Sequence, residues 1–476
     1  MTILTILWIA LSFFVGFVIY LFPPLSRYLA LAIALFSGSY ALINFGQSSP
    51  LTLQLLDNFG VSLLVDQLSS FFILTNALVT AAVIFYCWNT GKKAFFYAQL
   101  IILHGSMNAI FICADFISTY VALEVIGISS FLLIAYPRTN KSIWVALRYL
   151  FVSNVAMLFY LIGVILVYQT NHSFSFAGFT NARPEAIALI ILGLFVKGGV
   201  FVSGLWLLPL TYSESETSVA AILSGVVVKV GIFPLVRCAL MFEEINSIIR
   251  IVGVASALLG VIYTILEQDT RRMLAFSSVS QLGFILAAPE VGGFYAFSHG
   301  LVKSALFLIV GNLPSFQFKE LQNKPIYKPL WIALVVASFS ISGFPLLSGF
   351  GAKVLTMKSL LGWQVIVMNI AALGTAIAFA KFIFLPQGGE KTIKYGFWSA
   401  MAILLGGLVV ANGVYYKAYT LENVIKPLVT IGLGWLIYFF LIKPIVLRLP
   451  RMLEQFDHLI GVMSLILVSL FWMVLA

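Results

Sequence analysis

Apolar stretches long enough to cross a bilayer follow one another along almost the whole chain, separated by short polar segments. A membrane-spanning helix needs about 20 mainly apolar residues, and windows of that size give about sixteen predicted helices. Their spans are 2–22, 26–46, 66–88, 94–113, 115–136, 144–168, 185–207, 217–241, 248–266, 272–288, 292–313, 329–361, 363–385, 396–416, 423–446 and 457–476. The alternation of a membrane barrel is absent from the sequence. The pattern therefore predicts an all-α polytopic membrane protein.

Two of the predicted helices contain residues that interrupt a helix. The stretch 329–361 is too long for one straight span, and it contains glycine and proline within 342–351. These residues are tolerated at membrane depth only where protein or a wet cavity satisfies the freed backbone groups. We therefore expect a helix broken in mid-membrane there. The weaker signal of Lys197-Gly198-Gly199 indicates a second break, within 185–207.

Composition supports this class and excludes others. The chain has 476 residues, of which 61% are hydrophobic and 9% are charged, whereas soluble domains carry about 25% charged residues. The net charge of +10 comes from loop residues that set topology, so it does not indicate a nucleic-acid partner. The 3 cysteines are far apart, and no flavin, iron–sulfur, nucleotide or metal motif stands out. We expect no cofactor and no metal ion.

Loop charges predict which side of the membrane each loop faces, because lysine and arginine are enriched in cytoplasmic loops. Alternate loops, taken from the one after the first helix, are mostly basic, apart from an acidic loop at 212–217, and the others contain few basic residues. The basic set contains Arg27, Lys92, Lys93, Arg138, Lys141, Arg271, Arg272, Lys319, Lys324, Lys328, Lys391, Lys394, Lys443, Arg448 and Arg451. The opposite set contains Arg183, Arg250, Lys417 and Lys426. This asymmetry predicts that the N-terminus lies outside.

Ionisable side chains also lie inside the predicted spans, on several different helices. They are Glu124, Lys197, Lys229, His299, Lys303 and Lys353. A charge at the bilayer centre costs about 2.5–3.5 kcal/mol on insertion scales, so such residues face partners or water and commonly serve ion or proton transfer. The spacing of His299 and Lys303 places both on one face of a helix. The set predicts a polar axis through the bundle.

Proton transfer accounts for this combination of groups. Burial disfavours a charged lysine and a neighbouring carboxylate favours it, so Glu124 paired with Lys197 would act as a switch. The following groups would pass the proton on through water, with Lys353 as the terminal donor. Simpler roles stay open: a structural Glu124–Lys197 salt bridge, a hydrogen bond from His299 to a carbonyl, or snorkelling of Lys353 to the interface.

Four segments resemble one family of membrane proteins. They are residues 123–136 (LEVIGISSFLLIAY), 219–233 (VAAILSGVVVKVGIF), 271–284 (RRMLAFSSVSQLGF) and 342–353 (SGFPLLSGFGAK). In this order they are similar to the glutamate segment of helix 5, the helix 8 signature, the start of helix 10 and the broken helix 12 of that family. Over about residues 60–385 the chain is identified as a member of the antiporter-like subunits shared by Mrp-type cation/proton antiporters, complex I and membrane-bound hydrogenases.

The resemblance implies two five-helix repeats of inverted topology, at 94–241 and 248–385, each with a broken helix. Helices 1–3 would occupy 1–93 and helices 14–16 would occupy 396–476. Carried over by motif, Glu124, Lys197 and Lys229 match the half of the family's path where protons enter. His299 and Lys303 match the linking helix, and Lys353 matches the exit residue. Lysine at 353, where some members have glutamate, favours the Mrp antiporter subunit of type D.

The chain departs from the family in the loop before helix 8. Residues 208–216 keep the proline and one glutamate of the family pattern but lack its aspartate, its histidine and its later proline. Glu214 and Glu216 are expected to be solvated. Leu123 stands where the family has tryptophan, and the stretch 449–458 is amphipathic enough to lie on the membrane or on a neighbour.

These inferences together predict a proton-translocating subunit of a multisubunit Mrp-type cation (Na⁺)/proton antiporter in a prokaryotic cytoplasmic, or internal energy-transducing, membrane. Its partners would be other membrane subunits, protons, Na⁺ and the lipid bilayer, and it would perform no covalent chemistry of its own. Two alternatives stay open: an antiporter-like proton-pumping subunit of a complex I-type or hydrogenase-type redox complex, and a structural scaffold with an inactive channel. No cluster of carboxylates and carbonyls in the sequence resembles a sodium site.

Overall fold

The protein is seen in a computed structural model that describes residues 2–47, 49–56, 60–390, 393, 395–444 and 457–475. Within these residues, 12 helices are long and apolar enough to cross a membrane, and Ala94–Ile110, Lys328–Ser342 and Met463–Leu475 are shorter apolar helices. The predicted fold class, an all-α polytopic membrane protein, is confirmed. The total of sixteen spans, the inverted repeats and the boundaries at 1–93, 94–241, 248–385 and 396–476 stay predictions.

The N-terminal part contains six helices. These are α1 (Thr2–Leu21), α2 (Ser26–Phe45), α3 (Gln67–Cys87), α4 (Ala94–Ile110), α5 (Phe116–Ile134) and α6 (Asn140–Asn171). Side chains that accept from free N–H groups at helix starts fix three of the boundaries. Asp66 caps α3, Asp115 caps α5, and Thr139 caps α6.

A β-hairpin connects α2 to α3, contrary to the expectation of a purely helical pattern. Strands β1 (Leu51–Leu56) and β2 (Gly60–Val65) pair antiparallel. The Asp115 carboxylate accepts from the backbone N–H of Ser62 at 2.8 Å and from that of Ser118 at 2.7 Å. The hairpin is therefore held by a residue far along the chain, which no local pattern reveals.

The next segment contains a helix break and a π-helical turn. It consists of α7 (Pro184–Lys197), α8 (Val202–Glu214), α9 (Thr217–Ile222), the π turn Leu223–Val227 and α10 (Lys229–Met241). The predicted break after Lys197 is present. The loop predicted at 212–217 is shorter in the structure, because α8 continues through Glu214.

The second half contains the other break. Its helices are α11 (Glu243–Leu266), α12 (Thr270–Ala287), α13 (Gly292–Val310), α14 (Phe318–Leu321), α15 (Lys328–Ser342), α16 (Ser348–Lys358) and α17 (Val365–Ile383). The helix stops at Gly343, whose φ of +86° suits glycine. The expected helix break is therefore present at 343–347, between α15 and α16.

Three helices follow: α18 (Phe397–Val414), α19 (Leu421–Ile437), which continues as the π turn Tyr438–Ile442, and α20 (Asp457–Leu475). Helix α18 packs on α3 and α13, α19 on α17, and α20 on α7. Lys391, Lys394, Arg448 and Arg451 lie outside the described residues, as does the amphipathic stretch up to residue 456.

Burial identifies the centre of the bundle. The most apolar windows of Thr217–Met241 and Pro289–Val310 are 100% buried, whereas that of Leu421–Ile442 is only 17% buried. Lysines and a histidine on α10 and α13 are therefore enclosed by protein, and the outer helices leave apolar faces for lipid or other subunits.

Ion pairs and hydrogen bonds join several of the predicted basic loops at one end of the bundle. Glu216 pairs with Lys92, Glu214 pairs with Lys141 at 2.8 Å, and Arg271 donates to the Ser213 carbonyl at 3.1 Å. Both glutamates thus keep partly exposed side chains, as expected, and each also forms an ion pair that the sequence did not predict. These contacts put the loops on one side, as the charge pattern predicted, while the outside position of the N-terminus stays a prediction.

Candidate functional site

Lys197 is the last residue of α7 and lies at the junction of α5, α6 and α7. Its Nζ donates to the Ser153 Oγ at 2.6 Å and to the Leu123 carbonyl at 3.1 Å. A Cβ on Gly127 would lie 3.3 Å from this Nζ, so the glycine leaves room for the ammonium. The side chain is only 7% exposed, and its charge is stabilised by oxygen atoms from two neighbouring helices.

Glu124 lies one residue from the carbonyl that Lys197 contacts, on α5. The charges of the two groups interact, but among the described residues the carboxylate forms no ion pair with Lys197. The expected direct pair is therefore wrong for this conformation. Glu124 is partly exposed at the surface of this chain, unlike the fully enclosed Lys229 and Lys303.

The π turn before α10 provides the surroundings of Lys229. Its i→i+5 geometry appears in the hydrogen bond from the Val228 N–H to the Leu223 carbonyl, at 3.0 Å. The Lys229 Nζ reaches back along the helix and donates to the Gly225 carbonyl at 2.6 Å and the Ser224 carbonyl at 3.4 Å. The lysine thus satisfies carbonyls in the segment where the helical pattern changes.

Glycines bring the segments of Lys197 and Lys229 together. A Cβ on Gly231 would meet the backbone of Gly198, with the Gly198 Cα at 2.7 Å. Gly198 directly follows Lys197, and Gly231 comes two residues after Lys229. The break after α7 therefore packs against α10 beside the second lysine.

Lys303 and His299 share one face of α13, as predicted. The Lys303 Nζ donates to the Ser277 Oγ at 2.7 Å and the Leu274 carbonyl at 2.8 Å, both on α12. His299 is 2% exposed, and neither ring nitrogen has a hydrogen-bond partner among the described residues. A Cβ on Gly300, the residue after His299, would lie 3.6 Å from the Lys229 Nζ, so α13 brings this face close to the second lysine.

Lys353 lies between two cavities. The inner one, with room for about one water molecule, is bordered by His299, Tyr295 and Lys353. The outer one is larger, about 360 Å³, and is bordered by Lys353, Asn369 and Thr430. The Lys353 Nζ donates to the Ser342 carbonyl at 3.3 Å, at the end of α15. The predicted terminal residue therefore borders both a small cavity beside His299 and a larger one.

Sequence reasoning missed the groups that accept from these lysines. Ser153 and Ser277 are hydroxyls on apolar helices, and the sequence contains many similar serines. Buried Ser and Thr commonly bond their own helix, so their type alone gives no signal. It also missed His104, which is fully buried and contacts Thr80 and Ser37 at 3.1 and 2.9 Å, away from the lysines.

Other buried cations act as helix-end anchors. Lys381 donates to the Ile265 and Glu267 carbonyls at 2.5 and 2.9 Å, at the end of α11. Groups of three or more His, Cys, Asp or Glu side chains able to hold a metal ion are absent from the described part of the chain. The site is thus a series of lysines and a histidine surrounded by hydroxyls and carbonyls.

Comparison with known proteins identifies the family. Residues 113–378, more than half of the chain, match the family described as NADH:quinone oxidoreductase/Mrp antiporter, TM. The chain belongs to this family. All six candidate groups, from Glu124 to Lys353, lie inside the matched residues of this family member.

Relatives of this NADH:quinone oxidoreductase/Mrp antiporter family member come from two kinds of complex. It is 28% identical over 433 residues to the N subunit of NADH-quinone oxidoreductase from Desulforudis audaxviator, covering 79% of this chain and 85% of the relative. It is 26% identical over 374 residues to the D-type subunit of the Na(+)/H(+) antiporter from Alkalihalophilus pseudofirmus, covering 71% and 74%.

Solved structures share the fold. A chain of an archaeal membrane-bound sulfane sulfur reductase, a respiratory membrane complex, gives a TM-score of 0.76 at 20% identity over 90% of this chain and 97% of that one. A chain of the Mrp complex from Dietzia sp. DQ12-45-1b gives 0.78 at 21% identity, over 98% of this chain and 59% of the longer Dietzia chain.

Proposed function

We propose that this chain is the proton-translocating subunit of a multisubunit Mrp-type cation/proton antiporter. The observation that carries the proposal is the series of buried lysines, with His299, that begins at one helix break and ends at the other. Maintaining several ammonium groups in a membrane interior is costly. Within the described residues each of these lysines donates to oxygen acceptors and forms no ion pair with a carboxylate. Such an arrangement suits the uptake and release of protons.

Hydrogen-bonding capacity supports the relay. A protonated lysine has three N–H donors, and Lys197, Lys229 and Lys303 each use two of them on protein acceptors. One donor on each is left for water or a neighbouring group. His299 can accept at one ring nitrogen and donate at the other, which suits transfer between Lys303 and Lys353 through water in the inner cavity.

Glu124 would control the first step by moving. In the present conformation Lys197 contacts Ser153 and the Leu123 carbonyl, while Glu124 stays at a distance. A closer approach of the carboxylate would favour protonated Lys197, and retreat would favour release toward Lys229. In this proposal, the present contacts of Lys197 would belong to the separated state of the switch.

The exchanged cation and the assembly are part of the same proposal. The relative from Alkalihalophilus pseudofirmus is named as part of a Na(+)/H(+) antiporter, which supports Na⁺ as the cation. Solved structures with this fold are multisubunit membrane complexes, so other membrane subunits are the expected partners. The N-terminus would lie outside a prokaryotic membrane, and two inverted repeats would form the two halves of the path.

A second function rests on the relative named as part of an NADH-quinone oxidoreductase. In that case the same lysines would pump protons driven by a redox-active partner. Neighbouring genes distinguish the two settings, since Mrp-type complexes have small membrane subunits and redox complexes have quinone and iron–sulfur subunits. An inactive scaffold is the third possibility.

Proton movement by the assembled complex in vesicles tests the proposal. We expect Lys197→Ala and Lys353→Ala to lower Na⁺-dependent proton movement at least tenfold without loss of assembly, because each removes a necessary carrier. Lys324→Ala is the control, since this lysine is 52% exposed on a loop and pairs only with Glu320. Parental rates in both buried variants would refute the relay and leave the scaffold. Movement that requires a quinone and an electron donor instead of Na⁺ would establish the redox setting.

A further inference from the structure

Another cavity lies away from the lysine series, at the end of the bundle where the basic loops gather. It has a volume of about 740 Å³ and lies between α14, the end of α17 and the π turn after α19. Ligand-binding pockets commonly measure about 300–1,000 Å³. The proposed proton relay does not use this space, which we call the α14–α19 cleft.

The rim of the α14–α19 cleft is basic. Lys319 and Lys443 border it, and both side chains are exposed. Lys381 forms part of the wall, but its ammonium is already engaged by two carbonyls. The only acid that borders the cleft among the described residues is Glu320, which pairs with Lys324 at 3.0 Å. The rim therefore presents two exposed cations, of which Lys443 also lies over the Phe439 ring at 5.4 Å, and a net positive charge.

The wall below the rim is apolar and aromatic. Phe384, Tyr438 and Ile442 border the cleft, and Phe384 is 42% exposed. Ring contacts join Phe384 to Trp435 at 5.3 Å and to Phe439 at 4.6 Å. Helix α19 is the least buried of the long helices in the described chain, so this wall continues onto an apolar surface that the rest of the chain leaves uncovered.

We propose that the α14–α19 cleft binds an anionic phospholipid, with its phosphodiester headgroup between Lys319 and Lys443 and its acyl chains along Phe384 and α19. Basic pockets between membrane helices on the side of the basic loops commonly bind such headgroups. The amide of Gln322, on the same rim, can donate to a phosphate oxygen. A free phosphate would use the rim but leave the aromatic wall uncovered, which favours a lipid.

Lipid retention by the purified full-length protein tests this site, and it does not depend on the proposed relay. Native mass spectrometry would compare phosphatidylglycerol with phosphatidylcholine on the parent and on the Lys319→Gln/Lys443→Gln variant. We expect the ratio of bound phosphatidylglycerol to bound phosphatidylcholine to fall about 25-fold in the variant, because each lysine near the membrane surface contributes about fivefold to binding of an anionic lipid. Phosphatidylcholine retention should be unchanged.

Two variants control for charge and folding. Lys328→Gln removes an exposed cation from the same end of the bundle without touching the cleft, and it should behave as the parent. Lys319→Arg/Lys443→Arg should keep the preference, because it keeps both charges. An unchanged preference in the double glutamine variant would overturn the proposal. So would binding of glycerophosphoglycerol or inorganic phosphate as tight as that of the lipid, since this would show a site for the free anion.

Discussion

Replacement of Gly231 by alanine tests the packing that brings two lysines of the proposed relay together. The added Cβ would meet the Gly198 N, with the Gly198 Cα and the Leu194 carbonyl oxygen both at 2.7 Å. All three atoms belong to the backbone, so no side chain can rotate away. Helix α10 and the end of α7 must separate to accept the methyl group.

The expected magnitude follows from a matched control. Overpacking of a close-packed contact costs about 1–3 kcal/mol, while alanine favours a helix over glycine by about 1 kcal/mol. Gly432 lies inside α19 with no atom within 4 Å of an added Cβ. Gly432→Ala therefore gains the helix preference of alanine without any overpacking. Gly231→Ala should therefore be less stable than Gly432→Ala by about 1–3 kcal/mol.

Two measurements check this prediction. Unfolding of both variants in the same detergent gives the difference in stability, and Na⁺-dependent proton movement by assembled complex in vesicles gives function. We expect Gly231→Ala to unfold at a lower temperature and to move protons more slowly, because displacement of α7 separates Lys197 from Lys229. If Gly231→Ala matches Gly432→Ala in both measurements, the close contact does not exist and does not organise the site.

Three further substitutions probe other parts of the structure. Ser153→Ala leaves a buried N–H of Lys197 without its acceptor, so we expect a loss of about 1–3 kcal/mol in unfolding free energy and slower proton movement, whereas Ser153→Thr should retain both. Gly343→Ala places a side chain at φ +86°, which should cost about 1–2 kcal/mol in thermal unfolding; parental stability would contradict the break geometry. Lys92→Glu and Glu216→Lys should each reduce assembly of the complex, and the double variant Lys92→Glu/Glu216→Lys should restore it. Failure of the double variant to restore assembly would contradict the pairing of these residues.

Local features of the sequence predicted the helices and both breaks. The apolar length of a spanning helix and the helix-interrupting residues after Ser342 act over a few residues, so they can be read without the fold. The hairpin at 51–65 was missed because its stability depends on Asp115, which lies far along the chain and accepts from Ser62. The extension of α8 to Glu214 was missed because polar residues at a helix end resemble a loop.

Which residues are candidates could also be read from the sequence, but not how they are arranged. Lys197 and Lys353 stand out because a charge is unusual in an apolar stretch. Their acceptors do not stand out: Ser153 and the Leu123 carbonyl reach Lys197 from two other helices. The expected ion pair with Glu124 failed for the same reason, since separation across a helix interface depends on packing.

The sequence by itself determined that this protein lies in a membrane, which helices break, and which apolar spans contain ionisable groups, because apolar length, helix-interrupting residues and charge depend on residue type alone. Only the tertiary structure decided what those groups contact. Glycine contacts such as that of Gly231 with Gly198, the carbonyls exposed by a π turn, and the cavities on either side of Lys353 all require two or more helices to meet. Their positions depend on the packing of distant segments, and that packing places His299 and Lys353 at one small cavity.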